Sequence, residues 1–124
     1  MQENIIIWHN PRCSKSREAL AKLESLPCSY TIREYLKNPP TKKEIQQLLH
    51  LLMLPTVALI RTNEKIYKTL DIELDNEEAL ITAMANHPIL IQRPIIFNKN
   101  KAVIGRPTDN ILSLFTTSEN THHE

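Results

Sequence analysis

The sequence predicts an α/β fold in which a βαβ unit and a ββα unit flank a helical segment. Three observations predict it. A β-branched apolar run stands at residues 5–8, amphipathic helical patterns occupy the middle of the chain, and two short apolar runs flank a polar turn near its end. The chain has 124 residues, 41% of them hydrophobic and 23% charged, which suits one globular domain.

A βαβ unit is predicted first. Residues 5–8 fit a buried strand, and Pro11 disfavours helical geometry in the residue before it, so the strand ends in a turn. A helix begins at about Ser14, and Pro27 closes it. Residues 29–35 alternate as in a half-buried strand. The helix forms its apolar face from Ala19, Leu20 and Leu23, and the second strand places Tyr30 and Ile32 on one side and Thr31 and Arg33 on the other.

Helices are predicted in the middle of the chain. Residues 41–44 (TKKE) form a capping box, and residues 75–78 (DNEE) repeat the pattern before a second helix that Pro88 ends. Between them, Pro55 begins a short helix that carries Arg61 towards its end. Helical spacing is kept by Ile45, Leu48, Leu49 and Leu52 after the first cap, and by Ala79, Leu80, Ala83 and Met84 after the second.

The last third returns to strands. Residues 95–97 and 102–104 flank a polar turn at residues 98–101, which predicts a hairpin. Thr108 is a candidate cap for a final helix, and residues 116–124 form a polar tail. The final helix would carry Ile111, Leu112 and Phe115.

The element order, βαβ followed by ββα, is that of a thioredoxin-like domain with helices inserted between its two halves. We therefore expect a single thioredoxin-like domain over residues 1–115. The helical insertion is expected at about residues 41–87.

Composition excludes several classes of function. The net charge is +1 and no block of basic residues is present, so nucleic acid is not an expected partner. The longest apolar run, around residues 48–54, is too short to span a bilayer, and the polar start is unlike a secretory signal. We expect a cytoplasmic protein without a membrane partner. Gly105 is the only glycine, which rules out every glycine-rich phosphate loop, so helix ends and cationic side chains must hold any bound anion.

Cys13 is the predicted reactive centre. It lies between the first strand and the first helix, where free backbone N–H groups and the helix dipole stabilise a thiolate. Arg12, Lys15 and Arg17 add positive charge nearby, as does His9 when it is protonated. Such surroundings lower the pKa of a cysteine from about 8.5 to roughly 3.5–7.5, and the same donors suit a small tetrahedral anion. The alternative is a small loop residue among solvated charges.

Spacing disfavours other chemistries at this loop. A dithiol motif needs a second cysteine where the chain has Ser16, and a tyrosine-phosphatase loop needs an arginine where it has Ala19. A zinc site needs about four clustered ligands, whereas His122 and His123 lie in the polar tail. No metal and no tightly bound cofactor are therefore expected. Cys28 is either a packed residue or a resolving thiol.

The cysteine loop and three later motifs together resemble a known family. Residues 9–17 read HNPRCSKSR, close to the pattern H-N-P-x-C-G-T-S-R. Residues 59–61 (LIR), 92–95 (QRPI) and 104–107 (IGRP) match the places where that family presents arginines to an oxyanion. The match keeps order and spacing over about residues 4–115. The chain thus resembles the glutaredoxin-coupled arsenate reductase (ArsC) family, whose fold is thioredoxin-like.

The resemblance implies an oxidoreductase that converts arsenate to arsenite. Cys13 would be the nucleophile that forms a thiol–arsenate adduct, and His9 and Ser16 would tune its thiolate. Glutathione, a co-substrate rather than a bound cofactor, would then attack, and arsenite would leave. Glutaredoxin would recycle the mixed disulfide between Cys13 and glutathione.

The resemblance also assigns the anion-binding residues. Arg61, Arg93 and Arg106 would hold the oxygens of arsenate, because a guanidinium donates hydrogen bonds in a fork. Pro94 would be the cis-proline that lies opposite the reactive cysteine. Taken singly, Arg61 could instead interact with helix-end carbonyls, Arg93 and Arg106 could be exposed strand-end charges, and His9 could be a structural hydrogen-bonding residue.

The loop departs from the family at Ser14 and Lys15, which stand where the family has Gly-Thr. Loss of the glycine stiffens the loop, and Lys15 adds a cation, so the change bears on which substrate is used. It places the chain in a Ser-Lys branch of similar proteins. Two other functions stay open: a glutathione-dependent thiol–disulfide oxidoreductase, and a redox regulator that binds RNA polymerase. Such regulators commonly carry a C-x-x-C pair, which Ser16 denies.

Overall fold

The computed structural model describes residues 4–115, which form two compact units. The first unit comprises residues 4–34 and 93–115, and the second comprises residues 35–92. The segment predicted as a helical insertion, residues 41–87, falls inside the second unit. The assignment of a single domain stays a prediction.

The first unit is built on a four-stranded sheet. Its strands are β1 (Asn4–Trp8), β2 (Ser29–Arg33), β3 (Ile95–Phe97) and β4 (Ala102–Ile104), in the order β2-β1-β3-β4. β1 and β2 are parallel, whereas β3 pairs antiparallel with both β1 and β4. Helix α1 (Ser14–Glu24) connects the two parallel strands. The predicted βαβ unit and the predicted hairpin are therefore confirmed.

One face of the sheet, α1 and the C-terminal segment enclose the core of this unit. The alternation along β1 brings two isoleucines to the same face, and the apolar face of α1 packs against them. Each fully buried isoleucine or leucine contributes roughly 1.5–3 kcal/mol to the free energy of unfolding. The fully buried members of this core are Ile5, Ile7, Ala19, Leu23, Ile96 and Ile111.

Two predictions for the first unit are corrected. β2 ends at Arg33 rather than at residue 35, and Ile32 is 44% exposed, whereas Tyr30 on the same side of the strand is partly buried. The C-terminal helix starts as a 3₁₀ segment, Thr108–Leu112, and Thr108 does not cap it. The Thr108 hydroxyl instead reaches a carboxylate oxygen of Glu18. The predicted polar tail, residues 116–124, lies outside the described residues.

The second unit pairs two amphipathic helices, α2 (Lys42–Leu52) and α4 (Glu77–Asn86). The capping box of α2 is confirmed, because Thr41 and Glu44 exchange hydrogen bonds between each side chain and the other's backbone N–H. Asn76 caps α4 by accepting from the N–H of Ala79 at 3.1 Å. The buried residues of the two helices are Ile45, Leu48 and Leu52 in α2, and Leu80, Ile81, Ala83 and Met84 in α4.

Two features of the second unit differ from the prediction, and the end of α4 agrees with it. The helix expected after Pro55 is a single 3₁₀ turn, Thr56–Ala58, so Arg61 is not on a helix. Helix α3 (Lys65–Leu70) was not predicted, because it is only six residues long and none of its residues is fully buried. α4 ends at Asn86, before Pro88 begins a further 3₁₀ turn. None of the helices within residues 4–115 has the length and apolarity that crossing a membrane requires.

Candidate active site

The loop between β1 and α1 holds Cys13 through backbone hydrogen bonds. Cys13 is the N-cap residue of α1, with extended backbone. Its own N–H donates to the carbonyl of Asn10 at 3.0 Å. The Asn10 side chain accepts from the N–H of Arg12 at 3.0 Å. Asn10 was not among the predicted site residues, although an Asn-Pro pair is typical of a turn in which the asparagine bonds the backbone two residues on.

His9 and Ser16 lie buried beneath the loop. His9 Nδ1 is 2.7 Å from Ser16 Oγ, and the same oxygen accepts the N–H of Asn10 at 3.0 Å. The pKa of His9 is lowered, mainly because the imidazole is buried. The charge of Glu34 raises this pKa and the charge of Arg17 lowers it, but burial is the larger effect. The lowered pKa disfavours the protonated imidazole, so the positive charge expected from a protonated His9 is not supported near neutral pH. The imidazole fixes the Ser16 hydroxyl instead.

The sulfur of Cys13 is nearly buried, with the residue 9% exposed. Burial raises the pKa of this thiol. The backbone N–H of Ser16, the Arg93 guanidinium and the backbone N–H of Lys15 lower it further than burial raises it, so the net pKa is below that of an ordinary cysteine. The helix N-terminus thus stabilises a thiolate through its main chain.

Arg93 and Arg106 both reach this sulfur. Arg106 Nη2 lies 3.9 Å from Cys13 Sγ, and its Nε donates to the Arg93 carbonyl at 2.8 Å. Arg93 Nε and Nη1 are buried and have no hydrogen-bond partner within residues 4–115. An unsatisfied buried donor costs roughly 1–3 kcal/mol, so these two N–H groups favour an anionic ligand.

Two of the cations close to Cys13 in sequence bind other groups. Arg17 Nη1 donates to the carbonyl of Pro11 at 2.9 Å, and Lys15 Nζ lies 3.8 Å from a carboxylate oxygen of Glu18. The groups that lower the pKa of Cys13 do not include the side chains of Arg12, Lys15 or Arg17. The expectation that these three charges ionise the thiol is therefore not supported.

Pro94 lies at the start of β3, directly after Arg93. The Arg93–Pro94 peptide bond is cis, and so is Arg106–Pro107, which the sequence did not single out. The carbonyl of Pro94 accepts the N–H of Gly105 at 2.9 Å. The two arginine segments are thus joined by hydrogen bonds at adjacent positions.

Arg61 belongs to the second unit. Its backbone N–H donates to the carbonyl of Leu90 at 2.7 Å, beside a β-bridge between Ile60 and Ile91. Its guanidinium forms an ion pair with Glu64. The alternative in which Arg61 interacts with helix-end carbonyls is therefore wrong, and its role towards an anion stays a prediction.

Cys28 is a packed residue. It is partly buried against the core of the first unit, and its thiol points to the carbonyl of Leu23, with a sulfur–oxygen distance of 3.8 Å. Burial raises the pKa of Cys28. Both cysteines are free thiols. Residues 4–115 contain no cluster of three or more histidine, cysteine or acidic side chains suited to a metal, and His122 and His123 lie outside the described residues.

The two arginines and the helix N–H groups around Cys13 can hold a thiolate and an oxyanion side by side. A model of the ArsC family matches residues 8–114. An arsenate reductase of Neisseria meningitidis serogroup A is 41% identical over 111 residues, covering 86% of this chain and 94% of that protein. An arsenate reductase of Haemophilus influenzae is 40% identical over 114 residues, covering 90% of this chain and 98% of that protein.

Solved structures agree with these sequence relatives. The structure of an arsenate reductase from Vibrio cholerae superposes with a TM-score of 0.88 at 37% identity, covering 93% of this chain and 100% of that one. The predicted thioredoxin-like α/β class is confirmed by this likeness. On the family match and on relatives of about 40% identity, the chain belongs to the ArsC family.

Proposed function

We propose that this protein is an arsenate reductase that uses Cys13 as its nucleophile and takes electrons from glutathione and glutaredoxin. The observation that carries the proposal is the convergence of Arg93, Arg106 and two backbone N–H groups on the Cys13 sulfur. Family membership and the names of the relatives support arsenate as the oxyanion.

Ionisation of Cys13 prepares the first step. The thiolate attacks arsenic, a sulfur–arsenic bond forms, and the hydroxyl of arsenate leaves as water after taking one proton from solvent. Arg93 and Arg106 stabilise the oxygens during this exchange, because guanidinium donors placed beforehand need no reorganisation as charge develops. The unpaired Nε and Nη1 of Arg93 are suitable donors.

Glutathione completes the reduction in the second step. Its thiolate attacks the Cys13 sulfur, a disulfide forms, and the electron pair of the sulfur–arsenic bond goes to arsenic. Arsenic(V) is thereby reduced to arsenic(III) and leaves as arsenite, while two thiols are oxidised to a mixed disulfide. A glutaredoxin thiolate then attacks the glutathione sulfur and releases Cys13.

Three other residues enter the proposal by position in the family's motifs. His9 and Ser16 set the conformation of the loop, and Ser16 also stabilises the thiolate through its backbone N–H. Arg61 is proposed as a third donor to the anion. The Arg61→Ala variant tests this role. We expect it to need a higher arsenate concentration than the wild type to reach its half-maximal rate.

Arsenite production by the purified, reduced protein tests the function. Arsenite should form only when arsenate, glutathione and glutaredoxin are all present. The Cys13→Ser variant should form none, and Cys28→Ser is the matched control that should retain the wild-type rate. A protein whose Cys13 alkylates rapidly at neutral pH but yields no arsenite would exclude arsenate as the substrate.

A second candidate is a glutathione-dependent thiol–disulfide oxidoreductase. The single reactive thiol favours it, because Ser16 occupies the position of a second cysteine and a monothiol can still exchange with a glutathione mixed disulfide. Deglutathionylation of a model mixed disulfide, at equal rates with and without arsenate, would favour this candidate. The polymerase-binding regulator has no comparable support.

A further inference from the structure

Gly105 occupies a buried position between the two arginine segments of the first unit. It is the only glycine of the chain, and it does not have the positive φ that usually selects glycine. Its N–H donates to the carbonyl of Pro94 at 2.9 Å. The requirement for glycine must therefore come from close packing rather than from backbone freedom.

A methyl group at this position would collide with its neighbours. A Cβ built on Gly105 would lie 2.8 Å from Ile96 Cδ1 and 3.0 Å from Pro94 Cγ. Ala19 Cβ, on α1, would be at 3.7 Å, an ordinary contact. The end of the Ile96 side chain can rotate away. Pro94 Cγ belongs to a ring closed on the backbone, so relief of the second contact must change the pucker of that ring or displace it.

Any movement of Pro94 is transmitted to both arginines. Arg93 is bonded to Pro94, and Arg106 is bonded to Gly105. The Arg93 carbonyl also accepts the Nε of Arg106 at 2.8 Å, so one guanidinium is held by the backbone of the other. The separation between residues 94 and 105 therefore sets where both guanidiniums stand beside the sulfur.

We propose that Gly105 is a positioning residue: the absence of its side chain sets how closely Arg93 and Arg106 approach the Cys13 sulfur. A displacement of a few tenths of an ångström is enough to weaken contacts that depend on direction. The part of this inference that concerns bound arsenate rests on the proposed function, whereas the part that concerns the thiolate does not.

The test compares Gly105→Ala with Ile96→Val and with the double variant that carries both. Ile96→Val removes Cδ1, so in the double variant the contact with Ile96 is relieved and the contact with Pro94 remains. The pKa of Cys13 is read from its alkylation rate by iodoacetamide against pH, with Cys13 and Cys28 separated by peptide mass spectrometry. The decrease in the alkylation rate when arsenate is added measures how well arsenate protects Cys13. Circular dichroism shows whether each variant is folded.

We expect Gly105→Ala to raise the pKa of Cys13 and to weaken arsenate protection roughly tenfold. Ile96→Val alone should leave both at wild-type values. The double variant should regain thermal stability while keeping the raised pKa and the weak protection. A raised pKa with no arsenate protection in any variant, wild type included, would support the positioning role and reject arsenate as the ligand.

Two results would overturn the inference. One is a double variant whose Cys13 pKa returns to the wild-type value, since the effect would then come from crowding at Ile96 alone. The other is failure of the double variant to fold, which would make Gly105 a requirement of the core rather than of the arginines.

Discussion

The two cysteines that flank helix α1 have pKa values shifted in opposite directions. Cys13 stands at the N-terminus, and Cys28 follows the C-terminus and points to the carbonyl of Leu23. Burial raises the pKa of both thiols, but at Cys13 backbone N–H groups and Arg93 reverse its effect. Cys13, the proposed nucleophile, is the more buried of the two cysteines. Donors rather than exposure decide which sulfur ionises.

The largest expected effect is the contrast between the two thiols themselves. At pH 7, Cys13 should be alkylated at least about tenfold faster than Cys28, because it holds the larger thiolate fraction. Its rate should also level off at a lower pH than that of Cys28. Alkylation of each peptide followed by mass spectrometry from pH 5 to 10 measures both. Identical pH profiles for the two cysteines would contradict a lower pKa at Cys13 than at Cys28.

The second effect compares an arginine that is close to Cys13 in space, Arg93, with one that is close to it in sequence, Arg12. Arg93→Ala should raise the pKa of Cys13 and lower the efficiency of arsenate reduction about a hundredfold, since it removes a donor to the transition state. Arg12→Ala is the matched control, and it should change the efficiency by no more than about twofold. Steady-state arsenite production measures the efficiency. Equal losses in both variants would mean that the loop's own charges ionise the thiol.

The third effect is a pH dependence of stability that comes from His9. The pKa of His9 is lowered in the folded protein, so below about pH 6.5, its ordinary value, the unfolded chain binds more protons. The free energy of unfolding should therefore fall as the pH falls from about 6.5. Urea unfolding from pH 5 to 7.5 measures it, and His9→Asn should lack this component. Identical slopes in the two proteins would contradict a buried neutral imidazole.

The smallest effect concerns the Ser16 hydroxyl. Ser16→Ala removes the bonds to His9 and Asn10 but keeps the backbone N–H that stabilises the sulfur. We expect the free energy of unfolding to drop by about 1–2 kcal/mol, with the pKa of Cys13 still lowered. Ser14→Ala, at an exposed position, is the control for urea unfolding and alkylation. An ordinary pKa in Ser16→Ala would show that the hydroxyl itself ionises the thiol.

Local patterns predicted the elements that bury a regular apolar face. β1, α1 and α2 follow from their periodicity and caps, and the polar turn before β4 predicted the hairpin. α3 was missed because it is a short helix with no fully buried residue. The exposure of Ile32 was missed because it depends on what packs against β2, which no local pattern reveals.

The site divides in the same way. The position of Cys13 at a helix start is a local property and was predicted from the turn before it. The source of positive charge is not local: Arg93 and Arg106 are brought to the sulfur by the pairing of β3 with β4 and with β1, whereas adjacent Arg17 turns to a carbonyl. The neutral state of His9 depends on burial, which a sequence of polar neighbours does not reveal.

Because the N–H groups of Lys15 and Ser16 belong to the main chain, every amino acid except proline supplies them equally. The Lys15 side chain is directed to Glu18. Ser-Lys can thus replace Gly-Thr without removing the N–H groups that lower the pKa of Cys13. Substitutions at these two positions can therefore change the surface that an incoming reactant contacts while the thiolate stays stabilised.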